Sequence, residues 1–153
     1  VETSPIAQRR SGRVLVVDSA GRVLLLQGFD PAEPDHRFWF TIGGGADPGE
    51  TLAQAAAREL REESGIVADP AALGAPVWRR TAEFSFDGTR YRQDEEYFLL
   101  RTGPVEVSLA GLEEIERATV VAHRWWDPAD LVASGEPFVP PELPRLLREL
   151  ASR

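Results

Sequence analysis

The chain has 153 residues and a mass of 16.9 kDa, the size of one ordinary domain, with 42% hydrophobic residues to build a core. It carries 25 acidic residues against 17 basic ones, a net charge of −8, and every base is arginine. That balance argues against a binder of long nucleic acid, whose affinity grows from accumulated phosphate contacts. The absence of Cys excludes disulfides, thiolate metal sites and a cysteine nucleophile, and the absence of Lys excludes Schiff-base chemistry and a P-loop lysine. No apolar run approaches the roughly 20 residues of a membrane span, so a single domain in the cytoplasm, with no membrane partner, is expected.

Residues 1–11 are polar and read as loosely held. Val14–Val17 and Val23–Leu26, separated by Asp18-Ser19-Ala20-Gly21, read as a hairpin of two central strands, because both runs are apolar without alternation. A third short strand is expected at Phe38–Ile42, followed by a glycine-rich loop from Gly43 to Gly49. A helix follows over Thr51–Ser64. Thr51 and Gln54 have the spacing of a capping box, Leu52, Ala55, Ala56 and Leu60 form an apolar stripe, and Gly65 is placed to end it. A long hairpin pairs Val77–Phe86 with Arg90–Leu100, and Val120–Trp126 reads as a further strand. Short helices are expected at Pro128–Ala133 and Pro141–Ala151. Hairpins and helices intermixed predict an α/β fold with helices flanking a mixed sheet.

The helix carries Glu59, Glu62 and Glu63 at i, i+3 and i+4, neighbouring positions of one face. Three like charges that close need compensation. Pairing with Arg58 or Arg61 is one form of it, and a divalent cation bound by hard carboxylate oxygens is the other. The order Gly44, five residues, Glu50, seven residues, then Arg58-Glu59-Leu60-Arg61-Glu62-Glu63-Ser64-Gly65-Ile66 resembles the Nudix box, residues 44–66, at every position. The resemblance implies the Nudix fold, an α/β/α sandwich around a mixed β-sheet over residues 1–153, and hydrolysis of a nucleoside diphosphate linked to another group. It implies Mg²⁺, or Mn²⁺ in its place, held by Glu59 and Glu63 with Glu62 a ligand or close neighbour and the Gly43 carbonyl completing the set. Gly44, Glu50, Arg58 and Gly65 match structural positions of the motif. Upstream, this chain has Ile42 where many members have proline.

A bridging diphosphate repels hydroxide, so cations must neutralise it and position a water whose proton passes to a carboxylate. In this family that base is a box glutamate or one beyond the box, here Glu95, Glu96, Glu113, Glu114 or Glu116. Adjacent strand residues face opposite sides, so at most one of Glu95 and Glu96 faces the site; Glu96 is taken as that one, the alternative being an exposed edge-strand charge. Trp39, Arg79 and Arg92 are the expected contacts to substrate. Nucleoside triphosphates, oxidised ones such as 8-oxo-dGTP included, are the expected substrate class, since markers of other subfamilies are missing. Exposed aromatics near Trp125 would suit a homodimer. The alternative is a noncatalytic Nudix-like domain that senses a nucleotide or docks a partner, although such domains are expected to lose box carboxylates and this chain keeps them all.

Overall fold

The computed structural model describes residues 5–152. Seven strands, β1 (Ile6–Val17), β2 (Val23–Phe29), β3 (Arg37–Gly45), β4 (Trp78–Phe86), β5 (Thr89–Arg101), β6 (Val120–Trp126) and β7 (Phe138–Val139), form one mixed sheet. The helices are α1 (Leu52–Ser64), α2 (Glu114–Thr119), α3 (Pro128–Ser134) and α4 (Leu143–Ala151), with a short 3-10 turn at Pro70–Leu73.

The first strand begins earlier than its apolar run suggests. Positions 6–11, expected to be loose, belong to β1, which runs parallel to β5 from Ile6 opposite Arg90 to Val17 opposite Arg101. The part of that expectation that falls on positions 1–4 lies outside the described residues. Nor do β1 and β2 form an extended hairpin: they meet only at Val17 and Val23. β1 instead pairs antiparallel with β3 through Ser11–Val14, while β2 pairs with β3 and β6. The glycines Gly43–Gly45, expected as loop, are the end of β3. Ile42 is buried and pairs with Val14.

The unbroken apolar runs do mark central strands. Leu15, Val17, Val23 and Leu25 pack on one face beneath Leu131 of α3 and Leu143, Leu146, Leu147 and Leu150 of α4. Val14, Val16, Leu24, Leu26 and Ile42 pack on the other against Leu52, Ala56 and Leu60 of α1. Helices therefore cover both faces, the sandwich expected of the fold. Trp125 is half-buried against the α1-side cluster, and Trp126 is buried in the other.

α1 is held at both ends and along its length. The Thr51 hydroxyl accepts the Gln54 N–H at 3.1 Å and the Gln54 side chain accepts the Thr51 N–H at 2.9 Å, so the capping box is complete. Gly65 closes the C-terminus in the left-handed conformation, its N–H donating to the Arg61 carbonyl at 2.9 Å. At Gly12 the helix backbone comes so close that a Cβ there would stand 2.1 Å from the Leu52 carbonyl oxygen and 2.9 Å from the Ala56 nitrogen. Gly12 thus sets the distance between α1 and the sheet. That distance places the helix carboxylates against the end of β3.

Candidate active site

The end of β3 and the facing side of α1 interlock through polar contacts. Glu63 is buried, and its Oε1 accepts the Gly43 N–H at 2.7 Å. Glu59 crosses over Gly44, where a Cβ would lie 2.7 Å from its carboxyl group and displace it. Arg58 gathers the loop: its guanidinium donates to Glu50 at 2.9 and 3.0 Å, to Glu59 at 2.8 Å and to the Gly45 carbonyl at 2.9 Å. Glu50 also accepts the Asp47 N–H at 2.9 Å. Glu50 and Arg58 therefore tie loop to helix, as the motif implies.

The structure adds a fourth carboxylate. Glu116 of α2 converges with Glu59 and Glu62, their ligand oxygens all within 4.8 Å of one another. Burial pushes the Glu59 carboxyl up to about 7, with repulsion from Glu116 adding to it. Burial pushes Glu63 well above the ordinary carboxyl value, with Glu59 and Glu116 contributing, and also raises Glu62. Among the described residues Arg58 is the one guanidinium within ion-pair distance of these carboxylates, with Arg13 attracting Glu63 from farther off. A small divalent cation with hard-oxygen preference supplies the missing positive charge, so the donor set fits such an ion.

The cluster opens into a cleft of about 650 Å³ lined by Arg9, Arg13, Gly43, Gly44, Glu59 and Glu63, and on its other walls by Phe29, Phe38, Phe40, Phe84 and Phe86. Several expected residues lie elsewhere. Glu96 does not line the cleft; it pairs with exposed Arg79 at 2.8 Å across the β4–β5 ladder. The two residues alternate as expected but in the opposite phase: Glu95, not Glu96, is the inward residue, with Gln93 and Tyr97. Its carboxylate accepts from Arg80 at 2.6 Å, Tyr97 at 2.9 Å and the Gln93 amide. Although burial opposes ionisation, Arg13 and Arg80 hold Glu95 below the usual carboxylate range, so it is a poor proton acceptor. Arg79 and Arg92 both point to solvent, Arg92 pairing with Glu83 at 2.9 Å, and Arg80 is the arginine of β4 that reaches the cleft. Trp39 is core: it meets Trp126 edge to face at 5.3 Å and donates to Glu136 at 3.2 Å, leaving its neighbours Phe38 and Phe40 to line the cleft.

The profile of the NUDIX domain matches residues 7–149. The chain belongs to the Nudix hydrolase family. Among the relatives of this Nudix hydrolase, the dihydroneopterin triphosphate diphosphatase of Escherichia coli strain K12 is 39% identical over 122 residues, 74% of each chain. An RNA pyrophosphohydrolase of Novosphingobium aromaticivorans is 31% identical over 136 residues, 82% of this chain and 81% of that one. A MutT protein from Methanosarcina mazei Go1 shares the fold with a TM-score of 0.66 at 17% identity, covering 98% and 97% of the two chains. This Nudix hydrolase accordingly acts on phosphoanhydride bonds, and its acidic cluster suits the divalent metals that such enzymes use.

Proposed function

We propose that this Nudix hydrolase is a Mg²⁺-dependent pyrophosphohydrolase of small triphosphates that carry a fused heterocycle, nucleoside triphosphates and their oxidised forms among them. The observation that carries the reading is the cleft itself. A crowded carboxylate cluster borders it, and Phe29, Phe38, Phe40, Phe84 and Phe86 also line it, an aromatic surface suited to a flat heterocycle. The relative named for dihydroneopterin triphosphate, a pterin carrying a triphosphate, fits the same description of a substrate.

Glu59, Glu62 and Glu116 would supply converging oxygens for Mg²⁺, with Mn²⁺ as a substitute; the motif adds Glu63, which accepts the Gly43 N–H, and the Gly43 carbonyl to the set. A cation held there would neutralise phosphate charge and make an attacking water more acidic. The rest falls to the chain. Arg58 holds the Glu50 loop and Glu59 in fixed geometry. Glu63 is almost fully buried and its Oε1 accepts the Gly43 N–H, whereas Glu62 and Glu116 keep part of their surface open to water, so proton acceptance is assigned to Glu62 or Glu116. Glu95 fixes Arg80 and Tyr97 on the cleft wall.

The RNA pyrophosphohydrolase relatives raise a second substrate class, RNA, which the net charge of −8 disfavours. Steady-state kinetics with Mg²⁺ over dihydroneopterin triphosphate, canonical and oxidised dNTPs, ADP-ribose and a 5′-triphosphorylated RNA oligomer separates them. A small heterocyclic triphosphate is expected to give the highest kcat/KM; an RNA oligomer at the top would replace the proposed substrate class.

A further inference from the structure

Four arginines among the described residues are half-buried: Arg9, Arg13, Arg58 and Arg80. Arg58 and Arg80 are neutralised by carboxylates, at 2.8–2.9 Å to Glu50 and Glu59 and at 2.6 Å to Glu95. Arg9 and Arg13 take part in no ion pair within 4.0 Å among the described residues. Arg13 is tethered by neutral oxygens, the Ser11 hydroxyl at 3.1 Å and the Thr41 carbonyl at 2.8 Å. The Arg9 side chain makes no hydrogen bond among the described residues, and its guanidinium has only the Tyr91 ring, 5.7 Å from its centroid.

Half-burying a guanidinium with its donors unused is costly, and setting a second one near it adds repulsion. Burial and then the Arg13 charge both lower the Arg9 pKa. The acids that attract Arg9, Glu59 and Glu95, act from beyond ion-pair distance. Position is equally specific. Arg9 lies over Gly45, where a Cβ would stand 2.5 Å from its Nε, and Arg13 lies beside Gly43, where a Cβ would stand 2.8 Å from its Cδ. Both line the cleft at its carboxylate end.

Resting on the triphosphate reading above, we infer that Arg9, assisted by Arg13, is the anchor for the phosphate chain of the substrate. A triphosphate carries more negative charge than one divalent cation neutralises, and a planar guanidinium with free donors matches phosphate oxygens two at a time. The anchor favours chains that end in free phosphates over a diphosphate capped at both ends, as in a nucleotide sugar. Arg9 precedes the box by 35 residues and enters the site because β1 starts at Ile6 and pairs with β5 and β3.

The test needs no turnover. Thermal unfolding in EDTA at constant ionic strength is followed while inorganic tripolyphosphate is titrated into the wild type and three variants: Arg9→Gln, Arg9→Lys and, as control, Arg10→Gln, whose arginine is exposed. At one hundred times the titration midpoint the wild-type Tm is expected to rise by about 5–10 °C. Arg9→Gln is expected to move the midpoint at least tenfold higher while melting no lower than wild type without ligand, since it removes an unneutralised charge. Arg9→Lys is expected to recover part of the response, and Arg10→Gln all of it. A wild type that tripolyphosphate does not stabilise, an Arg9→Gln midpoint equal to wild type, or an equal loss in Arg10→Gln would overturn the assignment. Because the metal is absent, that failure leaves the hydrolase reading standing, and failed catalysis with an intact Arg9 response would do the reverse.

Discussion

Replacing Glu59 by Gln separates what the acidic cluster does for catalysis from what it costs the fold. In the metal-free protein the Glu59 carboxyl titrates near 7 against an ordinary 4.5, because it is buried and faces Glu116 and Glu62. A carboxyl whose pKa is raised on folding contributes stability below its unfolded value and loses it as pH rises through the folded value. At about 1.4 kcal/mol per pH unit, metal-free wild type should therefore lose up to about 3 kcal/mol between pH 4.5 and pH 8 through this group. Gln stays neutral throughout and its carbonyl still accepts from Arg58, which donates to Glu59 at 2.8 Å. In EDTA at pH 8 the variant should melt about 6–12 °C above wild type, and at pH 4.5 the two should coincide. Millimolar Mg²⁺ should reverse the order at pH 8, because only the wild type has the full donor set. Calorimetric melts at the two pH values, with and without metal, read all four quantities. A variant no more stable than wild type at pH 8 in EDTA would show that the cluster is not electrostatically strained and would refute the reasoning.

Gly12→Ala should cost about 1–3 kcal/mol or more in denaturant unfolding and lower kcat, since its Cβ would meet the Leu52 carbonyl oxygen at 2.1 Å and push α1 and its carboxylates off the sheet. Arg58→Ala should destabilise by about 1.5–3 kcal/mol in the same assay, because Glu50 and Glu59 lose charge-assisted hydrogen bonds together. Glu96→Gln should keep kcat/KM within about twofold of wild type, as it breaks only an exposed pair with Arg79, worth about 0–1 kcal/mol. Glu95→Gln should lower kcat/KM at least tenfold by releasing Arg80 and Tyr97 from the cleft wall; equal effects of the two substitutions would reverse the facing assigned to β5.

What the sequence made legible is what is local. The capping box at Thr51 and Gln54, the stop at Gly65 and the spacing of Glu59, Glu62 and Glu63 all lie within one helix and its flanks, where 3.6-residue periodicity writes contact directly into order. The central strands were legible too, since Val14–Val17 and Val23–Leu26 are apolar on both faces. Pairing was not. The β1–β5 ladder joins residues 84 positions apart, and its first half, with Arg9 and Arg10 in a polar stretch, has the composition of a loose terminus. Alternation fixed that Glu95 and Glu96 oppose each other but carried no phase, which the Tyr97 contacts with the core decide. Glu116 stands among three candidate acids in and just before a helix of six residues, too short to show a period, and only the approach of α2 to α1 singles it out.

The most direct measurement of the central claim is pyrophosphate release from dGTP, 8-oxo-dGTP and dihydroneopterin triphosphate with Mg²⁺, with EDTA, and in Glu59→Gln and Glu63→Gln. The account predicts turnover of at least one of the three with Mg²⁺, none in EDTA, and a loss of at least a hundredfold in each variant with the fold intact. Turnover that survives EDTA, or that either variant retains at the wild-type rate, would contradict the assignment of these carboxylates as the metal-binding core of the site.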